Sequence, residues 1–260
     1  MNKKSCILII NQNDVIGSSI SKKLVHHDYE MVLETNDLVY TNKKQLKEFI
    51  FATKPEYVFI SNVDKETELN IIELSIQVKA KSIVNYIRLD DDKSYLEKYK
   101  GDIISILIDE VYGDFDDYNY ETCHILPEML RKIHEAKAYN IPNVYLWIPN
   151  NRKLNLIYND DLANVSIQVA DNYEKGCIVD LRTGSSLNVK SLGGLIKEQL
   201  EYNGEVIYID NYKYNYDKID YGRPIKRLDW MPKITIKQGV RLTYTNLLDQ
   251  KDYFFISKIF

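Results

Sequence analysis

Short, largely apolar runs recur along the first half of the chain, and segments of helical period separate them. Cys6 to Ile10, Tyr57 to Ile60, Ser82 to Ile87 and Ile103 to Ile108 carry no charged side chain. A strand that is apolar on both faces must be covered on both faces, which happens when helices flank a parallel sheet. Glu30 to Leu33 supplies a further strand between the first two runs. The intervening segments have the matching spacing. Gly17 to His27 places Ile20, Leu24 and Val25 at helical intervals, and Leu69 to Lys79 does the same with Leu69, Ile72 and Ile76. Lys43 to Thr53 predicts a helix that stops before Pro55.

This alternation predicts an α/β chain built on a Rossmann-like, doubly wound parallel sheet. The second half is less regular. It predicts helices over Glu121–Tyr139, from a cap at Asn159-Asp160-Asp161 to about Tyr173, over Val189–Glu201 and over Ile236–Leu248. Strands are expected at Val144–Trp147, Cys177–Leu181 and Val206–Ile209, with a loop over Tyr208–Tyr221. Trp147 closes an apolar strand and is expected in the core; Tyr112 is open to a core or a stacking role. Residues 1–110 are expected to form a Rossmann-like nucleotide-binding core, and residues 111–260 a mixed remainder.

Composition narrows the classes of partner. With 260 residues and 45% hydrophobic content the chain can fill a sizeable core. A net charge of −4 makes nucleic acid and anionic membrane poor partners. No apolar run approaches the ~20 residues of a membrane span. Cys6, Cys123 and Cys177 are widely spaced and odd in number, which argues for a reducing compartment and a cytoplasmic location. His26 and His27 adjoin each other with no cysteine nearby, so no metal site is predicted.

A dinucleotide-binding turn needs glycines after the first strand, so that the backbone can approach a pyrophosphate at the helix entrance. Of these glycines only Gly17 stands in the stretch Asn11 to Gly17. Asp14 brings a carboxylate to the helix end whose free amides would otherwise hold phosphate. Glu34, at the end of the second strand, has the chemistry to accept hydrogen bonds from a cofactor ribose, or is an ordinary solvent-facing carboxylate. Gly17 and Glu34 are therefore the candidate cofactor-binding residues.

The stretch Val111 to Ala136 is the most specific in the chain. It holds Tyr112-Gly113, then His124-Ile125-Leu126-Pro127, then Leu130-Arg131-Lys132-Ile133-His134-Glu135-Ala136. Trp147, Asp160-Asp161-Leu162-Ala163, Thr183-Gly184 and Leu228-Asp229-Trp230 follow in order. This ordered set resembles GDP-L-fucose synthase, in the extended short-chain dehydrogenase/reductase (NAD-dependent epimerase/dehydratase) family. The resemblance implies a Rossmann-like core with a small C-terminal α/β substrate lobe. It implies a nicotinamide cofactor, usually NADPH, that reduces a 4-keto sugar after epimerisation. A Tyr-x-x-x-Lys pair would serve the reduction, and a Cys and a His the epimerisation.

Only part of that equipment carries over. His124 stands at the family's acid/base histidine. Arg131 matches an arginine of the substrate region, and Arg152, Arg223 and Lys226 are the further candidates for a nucleotide diphosphate. Between the fourth and fifth strands only Arg88 to Asp102 remain, where the family holds its Cys and its Tyr-Lys helix. Tyr95 is followed by Lys98 and Lys100, at +3 and +5 rather than +4. Tyr40/Lys44 and Tyr214/Lys218 have the right spacing at the wrong place in the fold. The expected function is thus a GDP-L-fucose synthase-like homologue that has lost NAD(P)-dependent hydride transfer. The alternative is an active nucleotide-sugar epimerase or 4-keto-sugar reductase with altered chemistry. No cofactor is expected, with NAD or NADP the candidates if the ancestral site works. Expected partners are a nucleotide-sugar ligand and a homo- or hetero-oligomer with an active family member.

Overall fold

The computed structural model describes residues 1–10, 14–34, 42–88, 94–120, 122–182, 186–209, 225–227 and 230–249. In chain order the elements are β1 (Ile7–Ile10), α1 (Val15–His26), β2 (Val32–Glu34), α2 (Lys43–Thr53), β3 (Tyr57–Ile60), α3 (Lys65–Gln77) and β4 (Ser82–Ile87). A 3-10 turn over Ser94–Tyr99 leads to β5 (Ile104–Leu107), β6 (Glu110–Tyr112), α4 (Ile125–Ala138) and β7 (Asn143–Leu146). Then come β8 (Lys153–Leu154), β9 (Leu156–Tyr158), α5 (Asn159–Asn172), β10 (Ile178–Asp180) and β11 (Leu187–Asn188). The last elements are α6 (Val189–Gln199), β12 (Glu205–Tyr208), β13 (Ile225–Arg227) and α7 (Ile236–Asp249).

The chain divides into two units. The first takes residues 1–108, 159–182 and 216–231. Its sheet runs β13-β10-β5-β4-β3-β1-β2, and every pair in it is parallel. The apolar runs form these strands because they are buried on both faces: all four residues of β1 and all six of β4 are inside. Helix starts follow local chemistry. Asn42 caps α2 by accepting from the amides of Lys44 and Gln45, and Asp64 caps α3 through Glu66 and Thr67. Lys54 ends α2 in the left-handed region, at φ 46°, just before Pro55. Strand order reverses between β2-β1 and β3-β4. That is the switch point where open α/β sheets form their ligand crevice, beyond the carboxyl ends of β1 and β3.

The second unit takes residues 109–158, 183–215 and 232–260. Its described strands pair two by two: β6 with β9 and β7 with β12 in parallel, β8 with β11 antiparallel. Helices α4, α6 and α7 bury Met129, Leu130, Ile133, Leu192, Ile196, Val240 and Leu247 in its core. At the start of α7, Thr235 and Gln238 exchange side-chain-to-amide bonds of 3.3 and 3.1 Å, a reciprocal cap.

Several boundaries differ from the sequence expectation, for local reasons. Helix α1 begins at Val15 rather than Gly17, because Asp14 caps it. Helix α3 begins at Lys65 rather than Leu69, because Asp64 caps it. Helix α4 begins at Ile125 rather than Glu121, since the chain before it turns through a Cys123 amide to Asn119 carbonyl bond. Asn159 and Asp160 open α5, yet their side chains reach α1: Asn159 donates to Ser19 at 2.7 Å and Asp160 meets Lys23 at 2.5 Å. Trp147 was expected inside and is 54% exposed. Alternation along the strand turns Val144, Leu146 and Ile148 inward, which sends Tyr145 and Trp147 outward. Tyr112 is a core residue, 1% exposed.

Gly239 allows a close approach. A Cβ there would lie 2.8 Å from Cε2 and Cζ of the buried Tyr112 ring, and nearer still to its hydroxyl. The fixed ring leaves no room, so Gly239→Ala should destabilise the protein by about 1–3 kcal/mol, despite alanine's better helix propensity. Urea unfolding measures this; a variant as stable as the parent would show that the ring moves aside.

Candidate functional site

An acidic side chain, Asp14, stands at the carboxyl ends of β1 and β3. Asp14 follows β1 after a few residues and caps α1, with Oδ1 accepting the Gly17 amide at 2.6 Å. The same oxygen accepts the hydroxyl of Ser61, at the end of β3, at 3.1 Å, while Ser61 also reaches the Ile10 carbonyl at 3.3 Å. One carboxylate thus ties the start of α1 to the end of β3, and Ser61 links both to β1. Burial raises the Asp14 pKa to about 6, and the bonds from Gly17 and Ser61 and the charge of Arg88 pull the other way.

Gly17 is buried in α1, and its amide serves this internal cap. Glu34 ends β2, exposed, and accepts a hydrogen bond from Ser21 of α1. These two cofactor candidates therefore have partners within the fold. A dinucleotide's pyrophosphate uses the helix amides and the positive helix end, and a carboxylate beside it repels it. Asp14 puts a carboxylate at the helix entrance where such a group would need free amides.

Among the described residues, the segment between β4 and β5 holds one 3-10 turn, Ser94–Tyr99. Lys98 in it lies 3.2 Å from Glu73 and sits over the Tyr99 ring. Tyr99 also donates to Glu73. The side chain of Tyr95 lies outside the described residues. Tyr86 of β4 is buried and donates to Ser166 of α5 at 2.9 Å, and burial pushes its pKa well up. Lys44 faces Glu48 one helical turn on. Tyr40, Tyr214 and Lys218 lie outside the described residues.

The second unit brings two of the proposed substrate-side residues together. His124 is the N-cap residue of α4 and makes no side-chain cap bond. Its Nδ1 lies 3.9 Å from Oε2 of Glu110, a β6 residue. The other oxygen of Glu110 accepts from Arg152 Nη2 at 3.1 Å. Arg152 and Glu110 side chains are only 9% and 10% exposed, and His124 is 32% exposed. Sequence analysis named His124 and Arg152 but missed Glu110. Its signal was weak: one acidic residue in an otherwise apolar strand, just before Val111-Tyr112-Gly113.

Arg131 is elsewhere and not at the surface. It is 3% exposed, its guanidinium stacks 3.5 Å from the Tyr120 ring centroid, and Nη1 lies 3.5 Å from Glu135. Burial pushes the Cys123 thiol up, and the neighbouring Arg131 offsets part of that shift. Lys132 pairs with Glu128 at 2.5 Å. Arg223 lies outside the described residues. Lys226 is in β13, where its backbone registers with Val179, and its side chain is not described. Among the described residues no group of three His, Cys, Asp or Glu side chains is placed to hold a metal ion, and no helix is long and apolar enough to cross a membrane.

Comparison with known proteins agrees with this architecture. Residues 93–180 match the model of the NAD dependent epimerase/dehydratase family. A probable GDP-L-fucose synthase 1 of Oryza sativa subsp. japonica is 30% identical over 58% of this chain, which spans 47% of the rice protein. A putative GDP-L-fucose synthase 2 of Arabidopsis thaliana is 23% identical over 94% of the chain and 92% of its own length. Among solved structures, a GDP-D-glycero-L-gluco-heptose synthase from Campylobacter jejuni, crystallised in the presence of NADPH, superposes with a TM-score of 0.74. It is 18% identical and is covered to 99%, against 96% of this chain.

That solved structure shares the fold of this chain, an α/β architecture built on a parallel sheet, and the family match covers the middle third of the chain. In sequence the chain is similar to GDP-L-fucose synthases, over part of its length for the rice protein and most of it for the Arabidopsis protein.

Proposed function

We propose that this GDP-L-fucose synthase-like chain has given up NAD(P)-dependent hydride transfer and serves as a binding or scaffold protein. The observation that carries the reading is the Asp14 carboxylate, seated on the Gly17 amide and bridged to Ser61 where a cofactor's phosphates would lie. The short turn between β4 and β5, with Lys98 committed to Glu73, supports it from the side of the chemistry. A nucleotide sugar bound on the second unit is the proposed ligand, and another family member the proposed partner. The cytoplasm is the proposed location, in keeping with three cysteines that form no disulfide.

Thermal shift tests the reading directly. A ligand at a hundred times its Kd stabilises a protein by about 2.7 kcal/mol. The expected result is an unchanged melting temperature with millimolar NADPH, NADP or NAD. A rise of several degrees with any of them would sink the proposal.

One observation favours a second reading, an epimerase without hydride transfer. His124 is partly open to solvent with the Glu110 carboxylate 3.9 Å away, an arrangement suited to proton exchange. Incubation with a 4-keto-6-deoxy sugar nucleotide in heavy water separates the two. Deuterium entering the sugar next to the ketone selects the epimerase, and an unlabelled sugar selects the binding role.

A further inference from the structure

The ion pair in the second unit has the geometry of a receptor that already holds its anion. Arg152 is fixed by its backbone: its amide donates to the Pro149 carbonyl at 3.2 Å, and its carbonyl accepts the Val189 amide at 2.9 Å. Glu110 is fixed from the opposite side, with β6 paired to β9 and its amide donating to the Asn155 carbonyl at 3.2 Å. Next door Asp109 accepts the Asn155 amide at 2.7 Å, which locks the same corner. Between these two rigid supports the guanidinium and carboxylate meet at 3.1 Å, nine-tenths shielded from water. His124, on the α4 cap, is the most open of the three side chains.

We propose that Glu110 is a built-in counter-ion that occupies Arg152, and so decides whether this corner accepts a phosphorylated ligand. A tethered carboxylate competes at the effective concentration of an intramolecular group, which a dissolved anion must exceed. It also repels a second anion across a shielded space, where charges interact more strongly than in water. The wild-type corner therefore holds pyrophosphate or a nucleoside diphosphate more weakly than it would without that carboxylate. Neutralising Glu110 removes that competing charge from beside a positioned guanidinium, a group well matched to phosphate oxygens.

This inference rests on the binding-protein reading for its ligand class, but its test uses no nicotinamide, so the two can fail separately. Titration calorimetry with inorganic pyrophosphate and with GDP would compare wild type, Glu110→Gln and the double variant Glu110→Gln/Arg152→Leu. The glutamine amide keeps an oxygen to accept the Arg152 N–H. At least tenfold tighter binding to Glu110→Gln than to wild type is expected, lost again in the double variant and accompanied by a matching thermal stabilisation. Equal affinity for wild type and Glu110→Gln would overturn the proposal, as would a gain that survives loss of Arg152. Glu110→Asn is the second variant if glutamine compromises folding. If both variants unfold and neither anion restores them, the pair is a structural tie and the proposal fails.

Discussion

Replacing Asp14 with asparagine should make the folded protein more stable at pH 7 by about 2–3 kcal/mol, and the gain should vanish near pH 4. The aspartate has a folded-state pKa of about 6 against an ordinary 3.8. A raised acid pKa means that the folded state holds the proton longer than the unfolded chain. Below pH 4 both states carry it, and the group costs nothing. Between pH 4 and 6 the unfolded chain ionises first, so wild-type stability falls as pH rises; above 6 the penalty is constant. Asparagine carries no charge to desolvate, and it caps a helix as well as aspartate does. Urea unfolding of both proteins at pH 4 and pH 7 gives the two differences. A gap that does not change with pH would mean that the carboxylate is better solvated than its place between Gly17 and Ser61 implies.

The opposite sign is expected at the other site. Arg152→Leu strands the Glu110 carboxylate in a shielded corner, and breaking a buried pair from one side costs roughly 3–5 kcal/mol. In a protein of this size that corresponds to a fall in melting temperature on the order of 10 °C. Removing the charge as well, in Arg152→Leu/Glu110→Gln, should recover part of the loss, because the two side chains act as a unit. If the single and double variants melt together, the pair contributes little and water reaches Glu110 freely.

The fold was legible because burial writes itself into composition. Runs such as Ile7–Ile10 and Ser82–Ile87 have no polar face, and nothing but a sheet covered on both sides can house them. Asp14 was also legible, since a carboxylate at the α1 entrance has few places to go. Glu110 was not. Its meaning lies in Arg152, which is far along the chain and set by a turn that no periodicity reveals. Trp147 went wrong for a smaller reason. Four apolar letters in a row fit a strand buried on two faces, while β7 is paired in a two-stranded ribbon and turns Tyr145 and Trp147 outward. Arg131 shows the converse: a cation that reads as a surface ligand lies against the Tyr120 ring.

The first unit gathers three separate stretches of chain, and the last two of them bring β10 and β13 to one margin of its sheet. Helix α5, from the middle stretch, covers α1 through Asn159 and Asp160. A gene fragment ending after β5 would leave β5 with an open hydrogen-bonding edge and α1 without its cover. No single cut of the chain separates the two units, so neither could be expressed as one uninterrupted stretch.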